Sequence, residues 1–443
     1  MASNYSLNSA SLNITERVLN SSGSKTYDAN TNALAGAITL SNLVSGEALN
    51  HSGTATISSA NAGSYTITNL AGITIADGSG GTASNYTLTG GTHNFTVNRR
   101  VVGVSGTRLY DATTNAVASD LSTHTNLVGT ETLNLSGTGT IASKNVGSNK
   151  TVSVGTLALA DGSNGGLAAN YTLSGGTHQL TVNQRPLNAT LSRQYDGTTT
   201  SAGSDLSSFD ALQGGETLTL SGSGTSASAN VANGIAMSSN GNLALVDGTG
   251  LASNYSLNST VINITERVLN SSGSKIYDAN TDALAADITL SNLVSGEALN
   301  HSGTATISSA NAGSYTITNL AGITIADGSG GTASNYTLTG GTHNFTVNPK
   351  VVSIQGNKTY DGNTTISSGN ITSVVGTVGT QTLIISGGSG TVSSANAATY
   401  ASAGINEGTL TLGNGTNGGL ASNYTLTGHA ASSFQVTQRV LSS

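Results

Sequence analysis

Seven histidines, 21 acidic residues and abundant serine, threonine and asparagine give this 443-residue chain raw material for metal binding or nucleophilic catalysis, so spacing must decide. His93, His178 and His343 each follow Gly-Gly-Thr, His51 and His301 sit in duplicated stretches, and His124 and His429 stand alone. None of them pairs at the short intervals that zinc ligands use. A Ser-His-Asp arrangement is recognised by geometry, and residues this plentiful supply one by chance in any sequence of this composition. Asp77, Asp161, Asp247 and Asp327 each open an Asp-Gly pair 8 to 10 residues before the tyrosine of an Asn-Tyr pair, with Asn414-Gly415 in the fifth place. One acid per turn is too few for calcium, which takes several oxygens, and an Asx turn explains these positions. GTGTIA at Gly137 precedes no helix and is no phosphate cradle. Asn-x-Ser/Thr triplets such as those at Asn85 and Asn94 follow from composition. The reading is a chain with no catalytic residues, no cofactor and no metal.

What recurs instead is a set of residues suited to holding. Tyr-Asp pairs stand at Tyr27-Asp28, Tyr110-Asp111, Tyr195-Asp196, Tyr277-Asp278 and Tyr360-Asp361, with intervals of 83, 85, 82 and 83 residues. Two residues before each lies a base: Lys25, Arg108, Arg193, Lys275 and Lys358. Asn-Tyr pairs return at Tyr5, Tyr86, Tyr171, Tyr255, Tyr336 and Tyr424, and a second base returns at Arg17, Arg100, Arg185, Arg267, Lys350 and Arg439. Glu47, Glu131, Glu216 and Glu297 share one register, with Gln381 in the fifth copy. Residues two apart on a strand share a face, so each base is expected along the tyrosine ring, with an acid completing an ion pair. A structural clamp at the module seam is preferred over a ligand site, because these residues are the scaffold itself. The Tyr-Asp rings are expected in the core.

The elements that must carry these residues are strands. Tyr65 and Ile67, Ile73 and Ile75, Tyr86 and Leu88, and Phe95 and Val97 alternate with small or polar residues, a period of two. Gly, Asn, Asp and Ser mark the gaps, and no window carries a helical stripe. Seven or eight short strands per repeat predict an all-β chain: a tandem array of five small β-sandwich domains of immunoglobulin-like size forming an elongated rod. β-grasp-like modules and a continuous β-helix remain as alternatives. The boundaries are a partial repeat at 1–16, repeats at 17–97, 98–182, 183–264, 265–347 and 348–437, and the start of another at 438–443. With no cysteine, each module is expected to be held by its own core.

Fourteen basic residues against a net charge of −7 exclude a nucleic-acid partner, and no apolar run reaches membrane-spanning length, so direct membrane insertion is not expected. The opening SNYSLN…NITERVLN matches Ser253–Asn270, so the sequence reads as starting inside a module, with the remainder of a longer chain as its neighbour. Ile38–Asn98 is identical to Ile288–Asn348, 61 residues at an offset of 250, which indicates duplication of a three-repeat block.

KTYDANT at Lys25, RLYDATT at Arg108, RQYDGTT at Arg193, KIYDANT at Lys275 and KTYDGNT at Lys358, closed by ASNYTLTGGTHNFTVN or a variant, resemble the YDG repeat domains of filamentous-haemagglutinin-like bacterial adhesins. Ala29, Ala112 and Ala279 depart from that pattern where glycine is expected. The resemblance implies a stalk in a large protein of the bacterial surface or exterior, exported by two-partner secretion and supporting adhesion, aggregation or biofilm. It implies no catalytic residue. Surface glycan or polysaccharide, or neighbouring copies of the adhesin, are the partners that go with the alternative of a multivalent, low-affinity binder.

Overall fold

A computed structural model describes residues 11–428 and 431–441, so Tyr5, His429 and most of the partial repeat at 1–16 lie outside the described residues. The described residues form strands joined by turns and three-residue 3₁₀ segments, with no α-helix among them.

In the first repeat the strands are β1 (Arg17–Val18), β2 (Asn20–Thr26), β3 (Asn32–Leu34), β4 (Ile38–Ser41), β5 (Leu49–Ile57), β6 (Gly63–Asn69), β7 (Ile73–Asp77), β8 (Tyr86–Thr87) and β9 (His93–Asn98). Their main sheet has the order β3-β5-β6-β9-β2-β4. All its neighbours are antiparallel except β2 and β9, which run parallel from Ser21↔His93 to Thr26↔Asn98. A smaller leading part joins β1 to β8 in parallel and the start of β5 to β7. Period-two alternation does what it should in the main sheet: Phe95 and Val97 are buried while Asn94 and Asn98 are exposed.

β5 serves both parts, and the changeover is at a glycine. Residues 49–53 pair with β7, whereas 54–57 pair with β3 and β6. Gly53 sits at the switch with φ 101°, and a Cβ there would stand 1.9 Å from the Gly72 carbonyl oxygen. Only glycine fits. Gly137, Gly222, Gly303 and Gly388 take the same place in the other repeats, with φ of 83°, 79°, 101° and 80°.

The main sheet of one repeat packs on the leading part of the next. Tyr27, Ile57, Phe95 and Val97 share a buried cluster with Val102, Leu133 and Tyr171 of the second repeat. Val104, Tyr110 and Leu180 of the second repeat likewise cluster with Leu187, Leu218 and Tyr255 of the third. The expectation of one self-contained core per module is thereby corrected. The leading part is too small to bury its own apolar residues, so it closes the preceding repeat's open face. Separate sheets in every repeat also set aside the continuous β-helix.

The chain divides into two compact units, and the third repeat contributes to both. One unit holds Met1–Ala189 with Phe209–Ser221 and Ala244–Ser259. The other holds Thr190–Ser208, Gly222–Leu243 and Thr260–Ser443.

Candidate functional site

The Tyr-Asp segment is a loop wound around its own cation. Lys25 Nζ donates to Asn30 O at 2.7 Å, Asn30 Oδ1 at 2.9 Å and Asn32 O at 2.8 Å, and pairs with Asp28 Oδ1 at 2.9 Å. Lys275 and Lys358 repeat this nest, with Asp278 at 2.9 Å and Asp361 at 3.0 Å. Arg108 pairs with Asp111 and donates to Thr113 O, and Arg193 pairs with Asp196 and donates to Thr198 O. The bases therefore turn into the loop and not along the neighbouring ring. The acid accepts the amide two residues on, at 3.2 Å for Asn30 and 2.9 Å for Thr113 and Thr198. Between them Ala29, Ala112 and Ala279 take φ of 61°, 63° and 64°, beside 79° and 83° at Gly197 and Gly362. The alanine repeats keep the glycine turn, at a steric cost of about 1–2 kcal/mol each.

That loop aims the tyrosine. The Tyr27 amide bonds Asn98 O at 2.9 Å, one step past the β2–β9 ladder, and the ring leaves the sheet end toward the second repeat. There its hydroxyl donates to Glu131 Oε1 at 2.8 Å, while Tyr171 donates to Oε2 of the same carboxylate at 2.6 Å. The two rings meet edge to face, centroids 5.4 Å apart at 77°, the arrangement that aligns a ring's positive edge with its partner's negative face. Val128 N donates to the Tyr171 hydroxyl at 3.0 Å. A Tyr–Glu–Tyr triplet thus joins the Tyr-Asp marker of one repeat to the Asn-Tyr marker of the next.

Asparagine does the same at the backbone. Asn170 accepts from Ala62 N at 2.8 Å and donates to Asn61 Oδ1 at 3.0 Å, both in the preceding repeat. Arg100 adds a third tie, reaching Tyr27 O at 3.3 Å while Asn126 holds its guanidinium. The Asp-Gly turns position this face: Asp77, Asp161, Asp247 and Asp327 each accept the amide that opens the 3₁₀ turn before Asn-Tyr, at 2.6–2.7 Å. Histidines brace it from behind, His93 bridging Ser21 Oγ and Leu88 O.

Among the described residues the seam is built four times. Tyr110, Glu216 and Tyr255 form the second, Tyr195, Glu297 and Tyr336 the third, and Tyr277, Gln381 and Tyr424 the fourth, with ring centroids 5.3–5.4 Å apart throughout. Their electrostatics differ. At the second seam Lys144 pairs with Glu216 at 2.6 Å and lies over the Tyr110 ring at 5.9 Å. Burial alone would raise the Glu216 carboxyl, but hydrogen bonds from Lys144, Tyr110 and Tyr255 outweigh it and hold the group below its ordinary range. At the fourth seam an amide replaces the charge, and Gln381 Nε2 donates back to Tyr277 at 2.9 Å.

Burial first, and then the carboxylate acceptor, push the phenols of Tyr27, Tyr171 and Tyr195 up to about 12. Tyr255 also rises to about 12, through burial and its Glu216 bond against the opposing Gln213 amide. Near neutrality such phenols keep their protons, so the triplet is suited to holding and not to proton transfer.

Sequence reasoning found the tyrosines, bases and acids but missed Asn170, Asn254, Asn335 and Asn423, which are at most 1% exposed. Their signal was present: each is the first residue of the Asn-Tyr marker. It also gave no pairing, since nothing in one dimension says that a marker is completed by the copy before it.

No curated protein matches the chain. Four stretches, residues 8–93, 96–180, 178–262 and 265–343, match the YDG domain, well over half of the sequence. The chain belongs to the YDG domain family and carries it as a tandem repeat.

Proposed function

We propose that this chain is a non-catalytic stalk segment of a large secreted or surface-attached bacterial adhesin, spacing an adhesive region from the cell. One observation carries the reading: among the described residues the two recurring tyrosines of the repeat meet across a repeat junction four times, on one shared Glu or Gln. A binding module would be expected to direct at least some of its recurring aromatic residues outward. Here both tyrosine markers are spent at seams, which suits a part whose task is fixed spacing. An extracellular setting and the remainder of a longer adhesin as partner belong to the same proposal.

The 61 identical residues allow a clean test. Removing 38–287 joins Ala37 to Ile288, so that Tyr27 meets Gln381 and Tyr424 in place of Tyr277. The shortened protein should fold, and X-ray scattering should show its maximum dimension reduced in proportion to the repeats removed. Equal dimensions for the two proteins, or scattering from freely jointed beads, would overturn the spacer reading.

A further inference from the structure

A phenol bonded to a carboxylate and set against a second phenol is equipped for one-electron chemistry as well as for holding. Among the described residues each seam supplies two such rings, centroids 5.3–5.4 Å apart at 77–78° and at most 5% exposed. Because Tyr27 and Tyr171 donate to the two oxygens of one Glu131 carboxylate, at 2.8 and 2.6 Å, the ring carbons flanking both hydroxyls lie at the same end of the pair. Those ortho carbons share the unpaired electron of a tyrosyl radical with its oxygen. The chain has no cysteine, so no disulfide closes a seam.

We propose that the seam tyrosine pairs are sites of dityrosine cross-linking, closed by one-electron oxidants of the class that peroxidases generate from hydrogen peroxide. At rest the phenolic proton stays in place. A phenol that has given up an electron is a strong acid, and at the first seam Glu131 takes its proton as the electron leaves. Loss of one electron and one proton from each ring gives two radicals. Their ortho carbons join, and the hydrogen on each joined carbon moves to its own oxygen, restoring both phenols. The two electrons and two protons released reduce one hydrogen peroxide to two waters. A bond between residues 27 and 171 then closes a loop of chain, as a disulfide would. The seams differ in this chemistry. Among the described residues Glu216 alone of the seam acids has an ion pair, with Lys144 at 2.6 Å, and that ammonium lies over the Tyr110 ring, where its charge opposes loss of an electron. At the fourth seam the Gln381 amide is no base. The first and third seams therefore couple most readily, the second less and the fourth least. The inference does not rest on the stalk reading.

The test applies photogenerated tris-bipyridyl ruthenium(III), a one-electron oxidant that need not touch a buried ring, to the whole chain at high dilution, followed by mass spectrometry of its peptides. The Tyr27 peptide should appear joined to the Tyr171 peptide, lighter than their sum by two hydrogen masses, and the four links should form in the order given. Tyr171→Phe should abolish the first link and spare the third. Glu131→Gln places at the first seam the side chain that serves at the fourth, so it should fold, and it should cut the first link severalfold. Gln381→Glu should raise the fourth link by a similar factor. Oxidation that consumes Tyr360, which is 42% exposed, while leaving the seam pairs unlinked would overturn the proposal. Links scattered over Tyr65, Tyr360 and Tyr400, or equal yields from Glu131→Gln and the parent, would overturn it too.

Discussion

At the scale of single residues, the seam depends on a carboxylate satisfied by two phenols. Tyr171→Phe leaves the edge-to-face contact but removes the hydrogen bond to the buried Glu131 and the acceptor of Val128 N, and should cost at least about 1.5–3 kcal/mol, the range for bonds to charged groups. Urea unfolding of the variant beside the parent measures it. The raised phenols set an alkaline limit. An unfolded tyrosine ionises near 10, whereas Tyr27, Tyr171, Tyr195 and Tyr255 hold their protons to about 12. Stability from these groups is full below pH 10 and is lost as pH rises from 10 toward 12, because the unfolded chain gives up protons that the folded chain keeps. Ultraviolet titration should show the seam tyrosines' share of the tyrosinate signal appearing together with loss of the β-sheet circular-dichroism signal. Ionisation of Tyr27, Tyr171, Tyr195 or Tyr255 near 10 in a chain still folded, read as the loss of that share of the signal in a Tyr→Phe variant, would contradict the seam geometry. On the acid side Glu216, held low, contributes stability above about pH 4.5 that falls away as pH drops through its folded value. Gln381 has no such dependence.

At the scale of elements, the strand that changes partners is the critical part. Gly137 separates residues 133–136, which pair with 158–161, from 138–141, which pair with 115–117 and with the strand at 147–153. Its φ is 83°, and an added Cβ would lie 2.1 Å from Thr156 O. Gly137→Ala should therefore lower stability by more than the roughly 1–2 kcal/mol of left-handed strain alone. A melting temperature within a degree of the parent would show that the switch tolerates a side chain. Much of this scale was legible in the sequence. Alternation at Tyr65, Ile67, Phe95 and Val97 marked strands, and Gly and Asx residues marked turns. Hidden was the division of one continuous stretch, Leu49–Ile57, between two sheets. Alternation is local, and the glycine that breaks it resembles the many glycines that only make turns.

At the scale of the molecule, the sequence period and the packing period are out of phase. The repeat is legible because Tyr-Asp and Asn-Tyr recur at constant spacing, yet a buried cluster begins in one copy and is completed in the next. Contacts through space need not respect where a duplication starts. A single excised repeat, residues 98–182, thus has two incomplete faces, whereas 98–264 contains one finished seam, that of Tyr110, Glu216 and Tyr255. Melting temperature should rise from one repeat to two to three and then level off, as in chains stabilised by nearest-neighbour contacts. Equal melting at every length would mean that the copies are independent.

The parallel pairing of β2 and β9 has a mechanical meaning. In these two strands a repeat's early and late segments lie side by side and point the same way, bonded from Ser21↔His93 to Thr26↔Asn98. A pull that draws the chain ends apart drags one strand backward against the other's forward motion, loading the whole ladder in shear instead of peeling it bond by bond. Resistance to tension is thus written into the topology of the repeat.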